Sequence, residues 1–146
     1  MSTDVSIPGR TTTTVSLHCV IVTPERTVLD DRVDFVVLPL YDGEMGILPG
    51  HSPIIGRLGW GELRTRLGPV VRRYFIDSGF AQVRDDVVTI LTKQALAAEL
   101  IDSLDAEDVL DFSRIALPSG TEKEQLAKER AVARARALLR VAERGL

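Results

Sequence analysis

Hydrophobic and polar positions alternate with a period of about two from residue 15 to residue 92. Short β-branched and apolar runs are separated by turn residues, which is typical of an antiparallel sandwich or barrel. Two of these runs, 15–22 and 33–38, stop at or beside a proline, which cannot donate a hydrogen bond to a neighbouring strand. This part of the chain is therefore predicted to form a β-domain of short strands.

Two hairpins are predicted within the β-domain. The first turns at Gly68 and Pro69 and carries arginines on its solvent-facing side. The second turns at Asp85 and Asp86, a two-residue connection that is common between antiparallel strands. The flanking segments are 63–67 and 70–76 in the first hairpin, and 80–84 and 87–91 in the second.

A glycine-rich stretch from residue 41 to residue 51 connects predicted strands. Its glycines permit tight turns, and Asp42, Glu44 and His51 would be polar groups on a rigid loop. Composition alone slightly favours a set of turns over a binding site. Trp60, which stands between two glycines, is interpreted as a large residue packed at the edge of the sandwich, with an exposed binding anchor as the alternative.

After residue 92 the hydrophobic period changes from two towards 3.6. Residues 93–100 are rich in alanine and leucine and fit a helical turn or an irregular crossover, whereas 103–115 form a first helix with apolar positions among acids. Thr121 and Glu124 match a capping box, which predicts a second helix from about 122 to 144. The short break at 118–120 makes the two helices an antiparallel hairpin.

The fold class is thus α+β, an N-terminal antiparallel β-sandwich followed by a C-terminal antiparallel two-helix hairpin. The predicted parts are a flexible N-terminal arm at 1–14, the sandwich at 15–92, a connector at 93–102 and the helical hairpin at 103–146.

Charge is distributed unevenly within this hairpin. Residues 99–114 hold six acids and one base, a net charge of −5, and residues 122–144 hold four acids and seven bases, a net charge of +3. Arginines of the second helix repeat every four residues in two sets, so each set lies along one face. The sets are Arg136, Arg140 and Arg144, and Arg130 and Arg134. Such rows of like charge predict a partner, either the acidic first helix or another protein.

Composition excludes several functional classes. A chain of 146 residues, 45% hydrophobic and 27% charged, fits a small globular protein and not a large multidomain enzyme or a disordered chain. The formal net charge of −3 gives no global positive field for nucleic acid or anionic lipid. We find neither a secretory signal nor an apolar run near the roughly 18 residues of a spanning helix, so direct lipid insertion is not expected. The single cysteine favours a reducing compartment.

No catalytic or metal-binding constellation is evident in the sequence. His18 and Cys19 are adjacent on a strand and point to opposite faces, so they are interpreted as a partly exposed imidazole and a buried thiol. A nucleophile elbow, a P-loop and a dinucleotide fingerprint are absent. A four-ligand zinc site would need more than these two residues and His51. We therefore expect a non-catalytic protein without a metal or cofactor.

The runs DFVVLP and DGEMGILPGHSP, which lie between residues 34 and 53, closely resemble the signature of the epsilon subunit of F-type ATP synthases. Further similar segments follow in the family's order, and the resemblance covers roughly residues 15–144. These segments are 17–26, 61–64, 78–83, 88–91 and 138–141. The resemblance implies a sandwich of about ten strands and a non-catalytic rotor subunit of the central stalk.

The resemblance also implies partners and a location. The sandwich would bind the gamma subunit and rest on the c-ring of the membrane sector, with Asp42, Glu44 and His51 at the rotor-ring interface. No nucleic acid is expected among the partners. The subunit would be a peripheral protein on the cytoplasmic side of the bacterial inner membrane. From the residues alone, a free-standing β-sandwich interaction module with a charged helical tail remains an alternative, and a small enzyme using the 42–51 loop is disfavoured because it lacks a positioned nucleophile.

In related subunits the hairpin either folds beside the sandwich or extends into the catalytic hexamer of alpha and beta subunits. There, basic residues of the second helix meet acidic segments of the beta subunit and block rotation. The resemblance therefore implies regulation of ATP hydrolysis. The arginines with matching charge and position are Arg130, Arg134, Arg136 and Arg140.

Some members of the family bind ATP on the folded hairpin through a motif of Ile or Leu, Asp, two residues, and Arg-Ala. Ile101 and Asp102 match its start, but Asp105 replaces the arginine, so an anion stands where a cation should face phosphate. Asp111 and Arg114 resemble the pattern about two turns later, without the alanine. ATP is thus predicted to bind weakly or not at all.

Overall fold

A β-domain followed by two α-helices makes up the described part of the chain. The structure is a computed structural model that describes residues 15–115 and 120–145. The predicted arm at 1–14 and positions 118–119 of the predicted break lie outside these ranges. The strands are β1 Leu17–Val22, β2 Thr27–Val33, β3 Phe35–Leu40, β4 Gly43–Ile47, β5 Ile54–Leu67, β6 Val70–Arg84, β7 Val87–Leu91 and β8 Ala95–Ala97. A 3-10 helix, Ala98–Leu100, precedes α1 Ser103–Ile115 and α2 Glu122–Arg144.

The eight strands form one continuous sheet that folds over itself. Their order is β2-β1-β7-β6-β5-β3-β4, and β8 pairs with β6 beside this path. Neighbours are antiparallel except β1 and β7, which run parallel. The fold-over brings β2, at one end of the order, into contact with β5. This arrangement confirms the predicted sandwich, and α1 and α2, which follow it and pack against each other, confirm the predicted helical hairpin.

The two longest strands explain the difference between eight strands and the expected ten or so. β5 and β6 have 14 and 15 residues, and their pairing is interrupted between Leu58 and Trp60, opposite Ser78. Ser78 and Gly79 there have φ angles of 55° and 120°. A Cβ atom on Gly79 would lie 1.9 Å from the Leu91 carbonyl oxygen, so only glycine fits. Each long strand thus consists of two halves that can be counted separately.

Both predicted hairpins are confirmed. Leu67 pairs with Val70 across the first turn, and Arg84 pairs with Val87 across the second. Asp85 and Asp86 have φ angles of 51° and 60°, the left-handed values of the type I′ turn that suits two-residue hairpins. The side-chain prediction is correct for Arg66 and Arg72, which are exposed, but wrong for Arg64 and Arg73, which are half-buried against Glu62.

Two strands were missed by the sequence patterns. In β2 only Leu29 and Val33 are buried, and three charged residues between them conceal the alternation. In β4 the glycines indicated turns, yet Gly46 belongs to the strand and lies against the Phe35 ring. For residues 93–100 the predicted helical turn is present as the 3-10 helix Ala98–Leu100, whereas the short strand β8 before it was not predicted.

Pro39 does not end β3 as predicted. It lies within the strand and pairs with Glu44 of β4. On the other side of β3, the pairing with β5 shifts register between Val37 and Leu40. The missing N–H of proline is tolerated because the ladder is already irregular there.

Candidate functional site: the hairpin interface and the β4 edge

Helix α2 packs on the sheet through small side chains. Its buried residues are Ala135, Ala137, Leu138, Val141 and Ala142. All of these except Ala135 pack in one cluster with Phe75 of β6 and Ala98 of the 3-10 helix, both of which are fully buried, and with Ala106 of α1. At the helix end, a Cβ on Gly145 would lie 2.6 Å from the Ala98 carbonyl group. The helix therefore approaches the sheet closely, and we call this contact the hairpin interface.

The predicted cap of α2 is present in the structure. Thr121 is the N-cap, and its Oγ1 accepts a hydrogen bond from the Glu124 N–H at 3.3 Å. This bond satisfies one of the free N–H groups of the first turn, as the capping-box pattern predicts. The cap and the apolar pattern together explain why the predicted bounds of both helices agree with the structure.

Alternation along β5 and β6 directs polar side chains towards α2. Positions 60, 62 and 64 of β5 share one face, and they pair with positions 77, 75 and 73 of β6. Trp60 Nε1 donates to Asp77 Oδ1 at 3.0 Å, and Trp60 packs against the hairpin interface. The indole is therefore part of the hairpin contact and not simply an edge residue of the sandwich.

Arg134 attaches the middle of α2 to the sheet. Its Nε donates to Asp77 Oδ2 at 3.0 Å and its Nη2 to Gln94 Oε1 at 3.1 Å. The guanidinium carbon also lies 5.5 Å from the centre of the Phe75 ring, within the range of a cation–π contact. Arg134, one of the four arginines predicted to contact the catalytic hexamer, is thus engaged with the sandwich in this conformation.

Glu62 binds the end of α2 and has only 5% of its side chain exposed. Its Oε2 accepts from Arg144 Nη1 at 3.2 Å, and its Oε1 accepts from Arg73 Nη1 at 2.8 Å and from Arg64 Nη1 at 3.3 Å. We call these four residues the Glu62 cluster. The sequence patterns did not indicate the roles of Glu62 and Asp77, because the partners of these two residues lie far from them in the chain.

The other predicted arginines face solvent. Arg130, Arg136 and Arg140 are exposed and form no ion pair with any residue within 15–115 or 120–145. Arg140 also lines a cavity of about 350 Å³ between α2 and the sheet. Within the same ranges no ion pair joins α1 to α2, so the acidic first helix is not the partner of the arginine rows.

The three polar candidates of the glycine-rich stretch lie along the β4 edge of the sheet. Asp42 is exposed in the turn before β4, and Glu44 is on the strand, with Oε1 3.7 Å from Arg64 Nη1. His51 lies beyond the other end of β4, where its Nδ1 donates to the Ser52 carbonyl at 2.7 Å. β4 has five residues and spans about 16 Å, so the structure does not bring the three together in one loop.

The candidate nucleotide residues are also separated. Ile101 packs against the hairpin interface, and Asp102 caps α1 by accepting the Leu104 N–H at 2.8 Å. Asp111 and Arg114 are exposed near the other end of α1. The helix rises about 1.5 Å per residue, so roughly 18 Å separates Asp102 from Arg114. These four residues therefore form no common pocket in this conformation.

Cys19 and His18 occupy the environments predicted for them. Cys19 is fully buried, and burial raises the pKa of its thiol to about 12. His18 is exposed, and its Nε2 contacts Asp30 Oδ1 across the β1–β2 pair. The thiol is therefore a core residue and not an activated nucleophile. In the described part of the chain, neither helix is long and apolar enough to cross a membrane.

Comparisons with known proteins agree with this architecture. A family model described as "ATP synthase, Delta/Epsilon chain, beta-sandwich domain" matches residues 16–98. A protein of Rhodopirellula baltica named ATP synthase epsilon chain is 48% identical over 126 residues, which cover 86% of this chain and 98% of the relative. An ATP synthase epsilon chain of Nitratidesulfovibrio vulgaris (strain DP4) is 39% identical over 130 residues, or 89% of this chain and 96% of the relative.

Solved structures contain chains with the same fold. A chain of the Euglena gracilis mitochondrial ATP synthase, determined as OSCP/F1/c-ring in rotational state 1, has a TM-score of 0.76 and 27% identity, covering 93% of this chain and 83% of that one. A chain of the Tetrahymena thermophila mitochondrial ATP synthase central stalk and c-ring has a TM-score of 0.67 and 13% identity, covering 86% and 96%. The family match and the relatives thus agree with the sandwich and hairpin, and the chain belongs to the epsilon subunits of F-type ATP synthases, which are non-catalytic subunits of the rotor stalk.

Proposed function

We propose that this subunit joins the gamma subunit to the c-ring and that its hairpin regulates ATP hydrolysis. The similar Euglena chain comes from an assembly that includes a c-ring, which supports a contact with the ring. In this proposal the β4 edge, with Asp42, Glu44 and His51, faces the polar loops of the ring. Polar groups on paired strands and short turns can carry torque without slipping. The subunit would be peripheral, on the cytoplasmic side of a bacterial inner membrane.

The observation that best supports regulation is an apolar surface left uncovered on the folded hairpin. Leu104, Phe112 and Ile115 of α1 are 70%, 77% and 76% exposed. Meanwhile α2 is held on the sheet by four buried residues, Ala137, Leu138, Val141 and Ala142, and by two ion pairs. A hairpin with a small docking contact and exposed apolar side chains gains burial if it moves to a second position on another subunit.

In the extended position, Arg130, Arg136 and Arg140 would meet acidic segments of the beta subunit. Their exposure makes them available for such a contact without loss of an ion pair to the sandwich. Arg134 would join them only after leaving Asp77 and Gln94. The alpha and beta subunits are therefore proposed partners of the extended hairpin alone.

Truncation after Leu100 tests this function in the assembled synthase. We expect the truncated subunit to support ATP synthesis, while ATP hydrolysis by membrane vesicles rises severalfold because the hairpin no longer blocks rotation. Combined substitution of Arg130, Arg136 and Arg140 by glutamate should also raise the rate of ATP hydrolysis. Reversal of Arg26, Arg32 and Arg84, which are exposed on the sandwich, is the matched control. Unchanged hydrolysis in both hairpin variants would contradict the regulatory role.

We also propose that ATP is not a strong regulatory ligand of this subunit. The candidate residues lie at opposite ends of α1, and Asp102 already caps that helix. An anion at position 105 would repel a phosphate group. Saturable ATP binding to the isolated subunit at physiological nucleotide concentration, measured by calorimetry, would contradict this proposal.

A further inference from the structure

Arg64 is shared between the hairpin interface and the β4 edge. Its Nη1 lies 3.3 Å from Glu62 Oε1 and 3.7 Å from Glu44 Oε1. Glu62 in turn accepts from Arg144 at the end of α2. A continuous chain of charged groups therefore connects a residue of the β4 edge to the helix that regulation requires to move.

Three of these four residues, Glu44, Glu62 and Arg144, also line the cavity of about 350 Å³ between α2 and the sheet. Its charged lining residues are Glu44, Glu62, Arg140 and Arg144. Two routes therefore lead from Glu44 to Arg144, one across the cavity that both line and one through Arg64, which lies near both Glu44 and Glu62. Glu62 is almost fully buried, so solvent screens its ion pairs less than isolated surface pairs, whereas Glu44 and Arg144 are 56% and 53% exposed and interactions between those two are screened more strongly.

The charge balance of this network gives the sign of the coupling. Among the ion-paired groups, three arginines (64, 73 and 144) are opposed by two carboxylates (44 and 62), which leaves one excess positive charge. Arg140 at the cavity, which has no ion-pair partner among the described residues, adds to it. Neutralising Glu44 raises the excess by one and leaves Arg64 to compete with Arg144 for Glu62. Arg144 is then held less firmly, and the docked position of α2 is weakened.

We propose that Glu44 controls the docking of the hairpin, and that pairing of Glu44 with a cationic group of the rotor ring loosens the hairpin. That the cationic group belongs to the rotor ring rests on the proposed function, whereas the coupling from Glu44 to Arg144 rests on the contacts within this chain. The β4 edge would therefore sense the ring as well as bind it. A ring contact would favour release of α2 from the sandwich.

Hydrogen exchange of the isolated full-length subunit tests the coupling. The readout is the exchange rate of α2 amides in residues 135–142, whose protection requires docking. We expect Glu44→Gln to speed this exchange about 2- to 5-fold, and Arg144→Gln to do at least as much. Asp42→Asn removes the same charge two residues away, from a side chain without a described ion pair, and should change the rate less.

The double variant identifies the route. If Glu44 acts through Arg144, Glu44→Gln should add little to the exchange rate in the Arg144→Gln background. Full additivity, or no effect of Glu44→Gln alone while Arg144→Gln speeds exchange, would overturn the coupling. No effect of either variant would overturn it too, since the cluster would then not hold α2. These outcomes do not depend on the synthase, so a failure of the regulatory role in hydrolysis assays would be seen separately.

Discussion

The Cys19 thiol shows how burial determines chemistry at a single residue. It is fully enclosed on β1, and the pKa of the thiol rises to about 12 because the charged thiolate would lose its hydration. In the unfolded chain the thiol has its ordinary pKa of 9.0. Below pH 9 the thiol is protonated in both the folded and the unfolded state, so its contribution to the free energy of unfolding is fully present there. Above it, the unfolded state loses the proton first, and stability falls as the pH rises towards about 12.

We therefore predict a steeper loss of stability with pH in the wild type than in Cys19→Ala. The measurement is the free energy of unfolding by urea between pH 8 and pH 10.5. Burial, which acts in both proteins, is also the largest cause of the raised pKa of Tyr74, whereas the charge of Cys19 is its smallest cause, so the difference between the two proteins comes mainly from Cys19. Equal slopes would contradict the prediction, and rapid alkylation of Cys19 in the native state would contradict its burial.

Gly79 is required by the break in the long strands. Its φ of 120° and the 1.9 Å approach of a Cβ to the Leu91 oxygen combine strain with a clash against backbone. Gly79→Ala should lower the free energy of unfolding by about 3 kcal/mol or more. Gly68→Ala is the matched control, since its φ is 56° and a Cβ there has open space. The control should cost only about 1 kcal/mol, and equal costs would contradict this account.

At the level of elements, the small side chains of α2 determine how closely it docks. Ala137 is buried in the hairpin interface, whereas Ala133 faces solvent on the same helix. Ala137→Leu should overpack the interface and weaken docking by about 1–3 kcal/mol, and Ala133→Leu should have little effect. Limited proteolysis of α2 measures the difference. Equal protection of both variants would show that the alanine face does not set the docking distance.

Local sequence patterns were sufficient to predict the elements whose turn or cap residues lie within or beside them in the sequence. The hairpin turns at 68–69 and 85–86, the cap at Thr121 and the bounds of both helices follow from residues close in sequence. β2 and β4 were not predictable in this way, because β2 has three consecutive charged residues and β4 contains Gly43 and Gly46, of which Gly46 lies so close to the Phe35 ring that a Cβ would be 3.0 Å from it. In both strands, pairing with a neighbour outweighs the local pattern.

The candidate site was predicted less completely than the fold. The resemblance identified Glu44 and Arg134, but their partners Arg64 and Asp77 come from other strands. The Glu62 cluster joins residues as far apart as 62 and 144, and no spacing rule connects such positions. Contacts of this kind depend on the register of β5 with β6 and on where α2 docks, which only the assembled structure defines.

At the scale of the whole molecule, the face of the sheet at β5, β6 and β7 carries large exposed apolar residues. Ile55, Phe80 and Leu91 are 79%, 59% and 54% exposed, and Phe80 pairs directly with Leu91. Together with the β4 edge, which we propose to face the ring, and the exposed arginines of α2, this gives the subunit three distinct surfaces. An exposed patch of this kind marks a protein interface, and we propose that the gamma subunit is the partner that covers it.

Phe80→Ser should therefore reduce copurification of this subunit with gamma. Val70→Ser is the control, because Val70 is similarly exposed at 52% but lies at the tip of the first hairpin. Thermal unfolding of the isolated subunits checks that both variants remain folded. Equal recovery of gamma with the two variants would contradict the assignment.

The parallel pairing of β1 with β7 has a consequence for how the chain folds. His18 pairs with Val87 and Val22 with Leu91, so the first strand acquires its second neighbour only after about 70 further residues have been made. Until then, the β1–β2 pair has an open edge at β1. Pairing across so long a loop is slow compared with closing a local hairpin. We expect β6 and β7 to pair before β1 joins them. The nascent subunit should therefore remain prone to aggregation through the open edge of β1 until β7 has been synthesised.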